Sequence, residues 1–197
     1  MKNMGKKIIL ASGSPRRSEL LRKAGISFEV LVTDADENVE ISLLSEEYAA
    51  EVSKRKARAA AEICMQNHED VTIIAADTIV CINGKILGKP DNGTEAYEMI
   101  KLLENGWHSV YTGMTFAFVS GKSVKYIQDC CRTDVKFKPL TDSEIWDYIN
   151  TGEPFDKAGG YGIQGEAGKF FAEIKGDYNN VVGLPVNRCL DILKLYM

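Results

Sequence analysis

The run VTIIAADTIVCINGKIL, residues 71–87, constrains this chain more than any other stretch. It is almost continuously apolar, where a half-exposed strand would alternate. It therefore predicts a buried strand in a sheet with helices wrapped around it. One polar pair, Asp77-Thr78, interrupts the run. Asn83-Gly84, between two apolar stretches, predicts a two-residue hairpin turn.

The flanking sequence supplies partners for that strand. KKIILAS, residues 6–12, reads as a short buried strand. Pro15 then stands where a helix would start, with Ser14 as N-cap, Leu20, Leu21 and Ala24 at helical spacing, and Gly25 as the stop. SFEVLVT, residues 27–33, predicts a strand before the acidic loop DADENVE. Residues 45–66 predict the clearest helix, begun by Ser45 and Glu47, with an apolar stripe at Tyr48, Val52, Ala59 and Ile63. A further helix within residues 88–106 ends at Gly106. WHSVYTGMTFAFV and SVKYIQDCCRTDVKFKPL predict two long strands, paired antiparallel through SGK. Thr141 and Glu144 form a capping box at the start of a short helix. Residues 156–185 are glycine-rich and irregular apart from a strand around 169–175, and residues 185–196 predict a closing amphipathic helix. Strands and helices mix without strict βαβ alternation. The expected fold class is therefore α/β of the mixed α+β kind, a mixed sheet flanked by helices. The 197 residues suit a single domain, residues 1–197, with room for two lobes sharing a core.

Composition narrows the function. A net charge of −4 argues against broad nucleic-acid binding, which needs a basic face, but allows a local pocket for a small anion. The five cysteines, Cys64, Cys81, Cys130, Cys131 and Cys189, are odd in number and lack zinc spacing. They read as idle thiols in a reducing compartment. No apolar run approaches the roughly 20 residues that span a bilayer. MKNMGKK leads only into IIL before small residues and charge, unlike a secretory signal. The expectation is a cytoplasmic protein with neither membrane nor nucleic acid as partner. His68 and His108 adjoin no nucleophile or metal set and read as structural or surface residues, and Trp107 and Trp146 as core or cover. The Walker A pattern is absent.

Five constellations could carry chemistry. Ser12, Gly13, Ser14, Arg16 and Arg17 join a strand end to a helix start. Two arginines beside a helix N-terminus, itself partially positive, suit phosphate oxygens, although a solvated start with the arginines paired to acids such as Glu19 is the plain alternative. Asp77 within an apolar strand is costly unless paired or metal-bound, so it reads as a metal ligand, a general base or an ion-paired structural residue. Glu37, with Asp34 and Asp36, offers hard oxygen ligands to a cation such as magnesium, or is a solvated loop. Lys56 and Lys89 are possible phosphate contacts, while Lys54 reads as part of a solvated helix face. In DKAGGYGIQG, residues 156–165, glycines permit close backbone approach and the Gln164 amide can read a base edge; a tight structural turn is the alternative.

Together, LASGSPRRSELL, DADE, KRKA, AADTIV, GKILGKP, VYTGM and DKAGGYGIQG resemble the Maf family of nucleoside triphosphate pyrophosphatases, also named for inhibition of septum formation. The resemblance runs through essentially the whole chain. It implies an elongated mixed sheet in two lobes with a central cleft, related to inosine triphosphate pyrophosphatases. It implies hydrolysis of a nucleoside triphosphate to the monophosphate and pyrophosphate with a divalent cation, Mg2+ or Mn2+, and a homodimer. By matched position, Ser12, Arg16, Arg17, Lys56 and Lys89 would hold phosphate, with Ser14 beside them. Glu37 and Asp77 would serve metal and water, Asp77 as proton acceptor. Arg16, Thr78 and Gln164 match the subgroup that prefers dTTP and UTP. Two other readings are a non-catalytic nucleotide-binding regulator of cell division, which would need the cationic cradle but not Asp77 or Glu37, and a family member selective for 7-methyl-GTP. Ser12 and Ser14 have no adjacent base, which argues against a covalent serine mechanism.

Overall fold

The computed structural model describes residues 6–39, 44–67 and 69–196; His68 lies outside them. The strands are β1 (Lys7–Leu10), β2 (Glu29–Val30), β3 (Val71–Ile82), β4 (Lys85–Leu87), β5 (Trp107–Ser120), β6 (Ser123–Phe137) and β7 (Phe171–Lys175). The helices are α1 (Pro15–Lys23), α2 (Ser45–Gln66), α3 (Gly93–Leu103), α4 (Asp142–Ile149), α5 (Tyr178–Val182) and α6 (Val186–Tyr196). One sheet runs β2-β1-β3-β5-β6-β7, with β4 paired to β3. β1 is parallel to both neighbours, Ile9 standing opposite Glu29 and Ile73. β4 and β7 are antiparallel to β3 and β6. β5 and β6 are joined by Gly121-Lys122 alone, a length that permits only antiparallel pairing. The expected mixed sheet flanked by helices is the observed architecture.

Local chemistry sets several boundaries. Asn83 and Gly84 have φ of 51° and 77°, as a type I′ hairpin turn requires. Glu144 and Thr141 exchange the two hydrogen bonds of a capping box at α4. Ser14 holds the N-cap position of α1, but its side chain makes no capping bond. Three expectations need correction. β2 covers two residues instead of seven. The stop after α3 is not Gly106: the chain leaves the helix at Glu104, whose ψ of 146° is extended, and Asn105 follows with a φ of 51°, a region asparagine tolerates better than most residues. The buried side of α2 is Ala49, Val52, Ser53, Ala57, Ala60, Ala61 and Cys64, whereas Ile63 is exposed and Tyr48 and Ala59 are only half-buried. Of the expected stripe only Val52 is buried. The reason lies in β5, where a Cβ on Gly113 would collide with the backbone of Ala49 and Ala50. The helix lies so close to the strand that small side chains fit best there, and Ser53 Oγ reaches Thr115 Oγ1 at 2.8 Å.

The contacts divide the chain into two compact units. The first comprises residues 1–77, 112–131 and 183–197. Its core packs Ile9 and Ala11 of the β1 segment and Val71, Ile73 and Ala75 of β3 with the alanines of α2. The second comprises residues 78–111 and 132–182. Its core is aromatic: Phe137 meets His108, Tyr161, Phe170 and Phe171 edge-on, at ring separations of 4.9–6.0 Å. Strand β3 passes from the first unit to the second between Asp77 and Thr78. No disulfide joins the five cysteines, and Cys64, Cys81 and Cys189 are buried.

Candidate active site

The first unit gathers most of the residues singled out in the sequence. β1 is buried and delivers the chain to Ser12, where the backbone leaves the sheet for α1. Ser12 Oγ accepts a hydrogen bond from the Ser14 amide (3.2 Å) and one from Arg17 Nη1 (3.0 Å). Arg17 Nε donates to the Gly183 carbonyl at 2.9 Å. Arg17 is thus a buried guanidinium, held from two sides, and it positions the loop before α1. Burial lowers its pKa; the charges of Asp77 and Glu37 work against that and Arg16 works with it. Arg16 is less buried and occupies the first turn of α1 beside Pro15.

The carboxylates converge on one lysine. Lys56 Nζ donates to Asp77 Oδ1 at 2.8 Å and lies 3.1 Å from Glu37 Oε2. Lys56 and Asp77 are well covered, at 13% and 15% side-chain exposure, while Glu37 is 61% exposed. This resolves the alternatives for Asp77 in part: it is ion-paired, and its partner is a residue expected at the phosphate. Lys54, two residues before Lys56 on α2, lies 3.8 Å from Glu51 instead. Two hard carboxylates within about 3 Å of one cationic centre are also what Mg2+ takes from protein, with water and substrate phosphate completing its shell. Among the described residues no third His, Cys, Asp or Glu joins them.

Two neighbours escaped the sequence reading. Arg55 Nη1 donates to the carbonyls of Asp36 (3.3 Å) and Asn38 (2.7 Å), so its guanidinium holds the backbone on both sides of Glu37. Its Nε bonds Glu51 Oε1, one turn back along α2. In the sequence it stands between Lys54 and Lys56 and looks like one more solvated charge. Tyr48, expected in the apolar stripe, has a phenol whose pKa is raised by burial and then by the charges of Asp77 and Glu37. Its placement beside two acids follows only from the rotation of α2.

Thr78, Lys89 and Gln164 belong to the second unit. Thr78 follows Asp77 in β3, so its side chain takes the opposite face of the sheet. Lys89 is exposed, in the loop after β4. That loop and the glycine-rich segment are bound together. The Gly159 amide donates to the Gly88 carbonyl at 2.8 Å, and Gly159 and Gly160, with φ of 69° and 71°, lie against Val80 and Pro90. Gln164 is exposed on the same segment. The tight structural turn is therefore present, its glycines set close against the protein's own chain. His108 is structural, as expected: Nε2 shares a 2.7 Å hydrogen bond with the Tyr161 hydroxyl, and burial lowers its pKa to about 4.

Comparison with known proteins agrees along the whole length. The model of the family described as Maf-like protein matches residues 7–196. A dTTP/UTP pyrophosphatase of Bacillus thuringiensis subsp. konkukian is 44% identical over 191 residues, covering 97% of this chain and 96% of that one. A dTTP/UTP pyrophosphatase of Clostridium novyi is 46% identical over 187 residues, covering 94% and 95%. The structure of the Staphylococcus aureus Ham1 protein superposes with a TM-score of 0.51 at 13% identity, covering 98% of this chain and 100% of that one, a likeness of fold alone. No helix among the described residues is long and apolar enough to cross a membrane. Matched by the family's model from residue 7 to residue 196, and by relatives over nearly its full length, the chain belongs to the Maf-like protein family.

Proposed function

We propose that the chain hydrolyses dTTP and UTP to the nucleoside monophosphate and pyrophosphate, with Asp77 as proton acceptor. The observation that carries the chemistry is the pairing of Asp77 and Glu37 on Lys56, in reach of the field of the buried Arg17. The substrate class follows from the relatives that bear that name. A regulator that only bound nucleotide would need the arginines and lysines, but not two carboxylates converged on one point.

The reaction asks for an activated water and for charge on the leaving group to be met. Asp77 Oδ1, fixed by Lys56, takes the proton as a water oxygen bonds to the α-phosphorus, and the bond from that phosphorus to the β-phosphate's bridging oxygen breaks. Arg16, Lys56 and Lys89 meet charge on the phosphates, and Arg17 with Ser12 holds the loop that presents Arg16. Gln164 offers an amide donor and acceptor to the base, the pair of groups a pyrimidine edge asks for. Glu37 and Asp77 would hold the divalent cation, Mg2+ or Mn2+. Such a cation supplies positive charge at the phosphates and makes a bound water more acidic.

The test is a panel of dTTP, UTP, 7-methyl-GTP and dITP with Mg2+ or Mn2+ and identification of both products. Pyrophosphate with dTMP or UMP is expected. Orthophosphate with the diphosphate would place the cut at the γ position and refute the reading. Asp77→Asn is expected to lower kcat at least 100-fold while leaving the thermal midpoint of unfolding within a few degrees, and full activity in that variant would remove Asp77 from the chemistry.

A further inference from the structure

We propose that Glu153 is a positioning residue that sets where Gln164 presents its amide; this rests on the reading of Gln164 as the residue that meets the base. Glu153 follows Gly152, which has a φ of 78°, and opens a short 3-10 turn after α4. Its two carboxylate oxygens have separate duties. Oε1 accepts from the hydroxyl of the fully buried Tyr148 at 3.2 Å, and Oε2 accepts from the Glu166 amide at 2.8 Å. The carboxylate lies flush under Gly165, where a Cβ would overlap Oε1, Oε2 and Cδ. Two residues after Gln164 the backbone is therefore bound to Glu153, and one residue after it the backbone rests on Glu153.

The other flank of the loop is held by the same turn. Lys157 Nζ donates to the Glu153 carbonyl (2.7 Å) and to Asp156 Oδ1 (2.6 Å), and its stem lies under Gly162, with Cε 2.7 Å from where a Cβ would stand. The Gly165 amide closes the loop onto the Gly162 carbonyl at 3.2 Å. Gln164 thus sits at the crest of a turn whose two feet rest on Glu153 and Lys157. Glycine at 162 and 165 is what lets the feet sit so low. Glu153 itself needs no contact with nucleotide: its charge is spent on a phenol and an amide, and Tyr148 in turn is fixed by the core of the second unit. Burial, and then the charge of Glu153, raises the Tyr148 pKa, so the phenol stays a donor through the working pH range.

The experiment compares Glu153→Ala, Glu153→Gln, Gln164→Ala and the double variant Glu153→Ala/Gln164→Ala in steady-state hydrolysis of dTTP. Losing a charge-assisted bond is expected to raise KM about tenfold in Glu153→Ala, with kcat within about twofold of wild type. Gln164→Ala raises KM alike, and the double variant is no worse than Gln164→Ala, because Glu153 acts through Gln164. Glu153→Gln recovers most of the loss, since its Oε1 still accepts from the Glu166 amide and its NH2 can donate to the Tyr148 oxygen. Additive KM effects, or a fall in kcat at constant KM, would overturn the proposal. Hydrogen exchange at the Glu166 amide, read without nucleotide, is expected to quicken about tenfold in Glu153→Ala; unchanged exchange overturns the proposal whatever the kinetics. If Glu153→Ala fails to fold, Tyr148→Phe, which removes the partner of Oε1, carries the same comparison, with Glu153→Gln expected to stay near wild type. Should wild type release no pyrophosphate from dTTP or UTP, the proposed function fails while the exchange result still decides whether Glu153 holds the loop.

Discussion

Acidification from pH 7 to pH 5 should cost the folded chain about 2 kcal/mol through one side chain, His108. The imidazole is 3% exposed in the aromatic core of the second unit. Nε2 shares its bond with the Tyr161 hydroxyl, and Nδ1 is buried with no partner among the described residues. A proton on this ring would place a charge in that core and an N–H against no acceptor. Burial accordingly lowers the pKa from 6.5 to about 4, and the nearby charge of Asp134 only partly opposes it. The sign follows directly. Between pH 6.5 and about 4 the unfolded chain binds this proton and the folded chain does not, so stability falls as pH falls through that window. At about 1.4 kcal/mol for each unit of pKa shift, the full cost is about 3 kcal/mol, reached below the folded pKa; about 2 of it is spent by pH 5. The measurement is urea unfolding at pH 7, 6 and 5 on wild type and His108→Gln. Glutamine stays neutral and can still bond Tyr161, and other acid-titrating groups are common to both proteins and cancel in the difference. The stability gap between wild type and variant should therefore shift by about 2 kcal/mol over this range, wild type losing more. Parallel pH dependences in the two proteins would refute the argument. Tyr161 begins the turn that carries Gln164, so the same protonation should loosen that turn before the unit as a whole unfolds.

Three further outcomes test the packing and the site. Gly113→Ala forces a Cβ into the backbone of Ala49 and Ala50, where no side chain can swing away, and should cost about 3 kcal/mol in urea unfolding. Arg55→Ala releases the carbonyls on either side of Glu37 and should raise the Mg2+ concentration for half-maximal activity several-fold with little change in thermal midpoint, as a metal titration would show. Arg17→Lys cannot serve both the Gly183 carbonyl and Ser12 Oγ with a planar fork, and should lower stability by about 1–3 kcal/mol as well as activity, seen in paired unfolding and kinetic measurements.

What could be read from the sequence was what is decided within a few residues. Asn83-Gly84 gave its turn because both positions need positive φ, and Thr141 with Glu144 gave its cap because the two bonds close over three residues. The faces of α2 could not be read that way. Period alone favoured Tyr48, Val52, Ala59 and Ile63, but the helix meets the backbone of Gly113, and close approach outweighs hydrophobicity there. Asn105, in the left-handed region just after α3, is not marked out in the sequence from the glycine beside it, because both residue types can take that region. At the site, Asp77 announced itself as a charge inside an apolar strand, and Lys56 and Glu37 by their types. Their meeting at one nitrogen depends on how α2 and the loop at 34–39 lie against β3, which no local spacing encodes. Arg55 and Glu153 were missed for a shared reason: both act on backbone atoms of another segment, and an arginine on a helix or a glutamate before a proline carries no mark of that.

Charge explains why the arginines at the start of α1 do not act alike. Two cations beside a helix N-terminus are unfavourable without an anion, and Arg17 adds the cost of burial. The first unit offsets this from within, since Asp77 and Glu37 favour the charge of Arg17 while each also meets Lys56. Arg17 is thereby tied to Ser12 and Gly183. Arg16, Arg17 and Lys56 together exceed the two carboxylates by one positive charge. A nucleoside triphosphate brings considerably more negative charge than that surplus. On the proposed reading these side chains leave the triphosphate undercompensated, and the same two carboxylates that favour the charge of Arg17 are the groups that would hold a divalent cation. Removing Glu37 should accordingly weaken the response to Mg2+ more than it weakens the fold, because Asp77 alone still pairs with Lys56 at 2.8 Å.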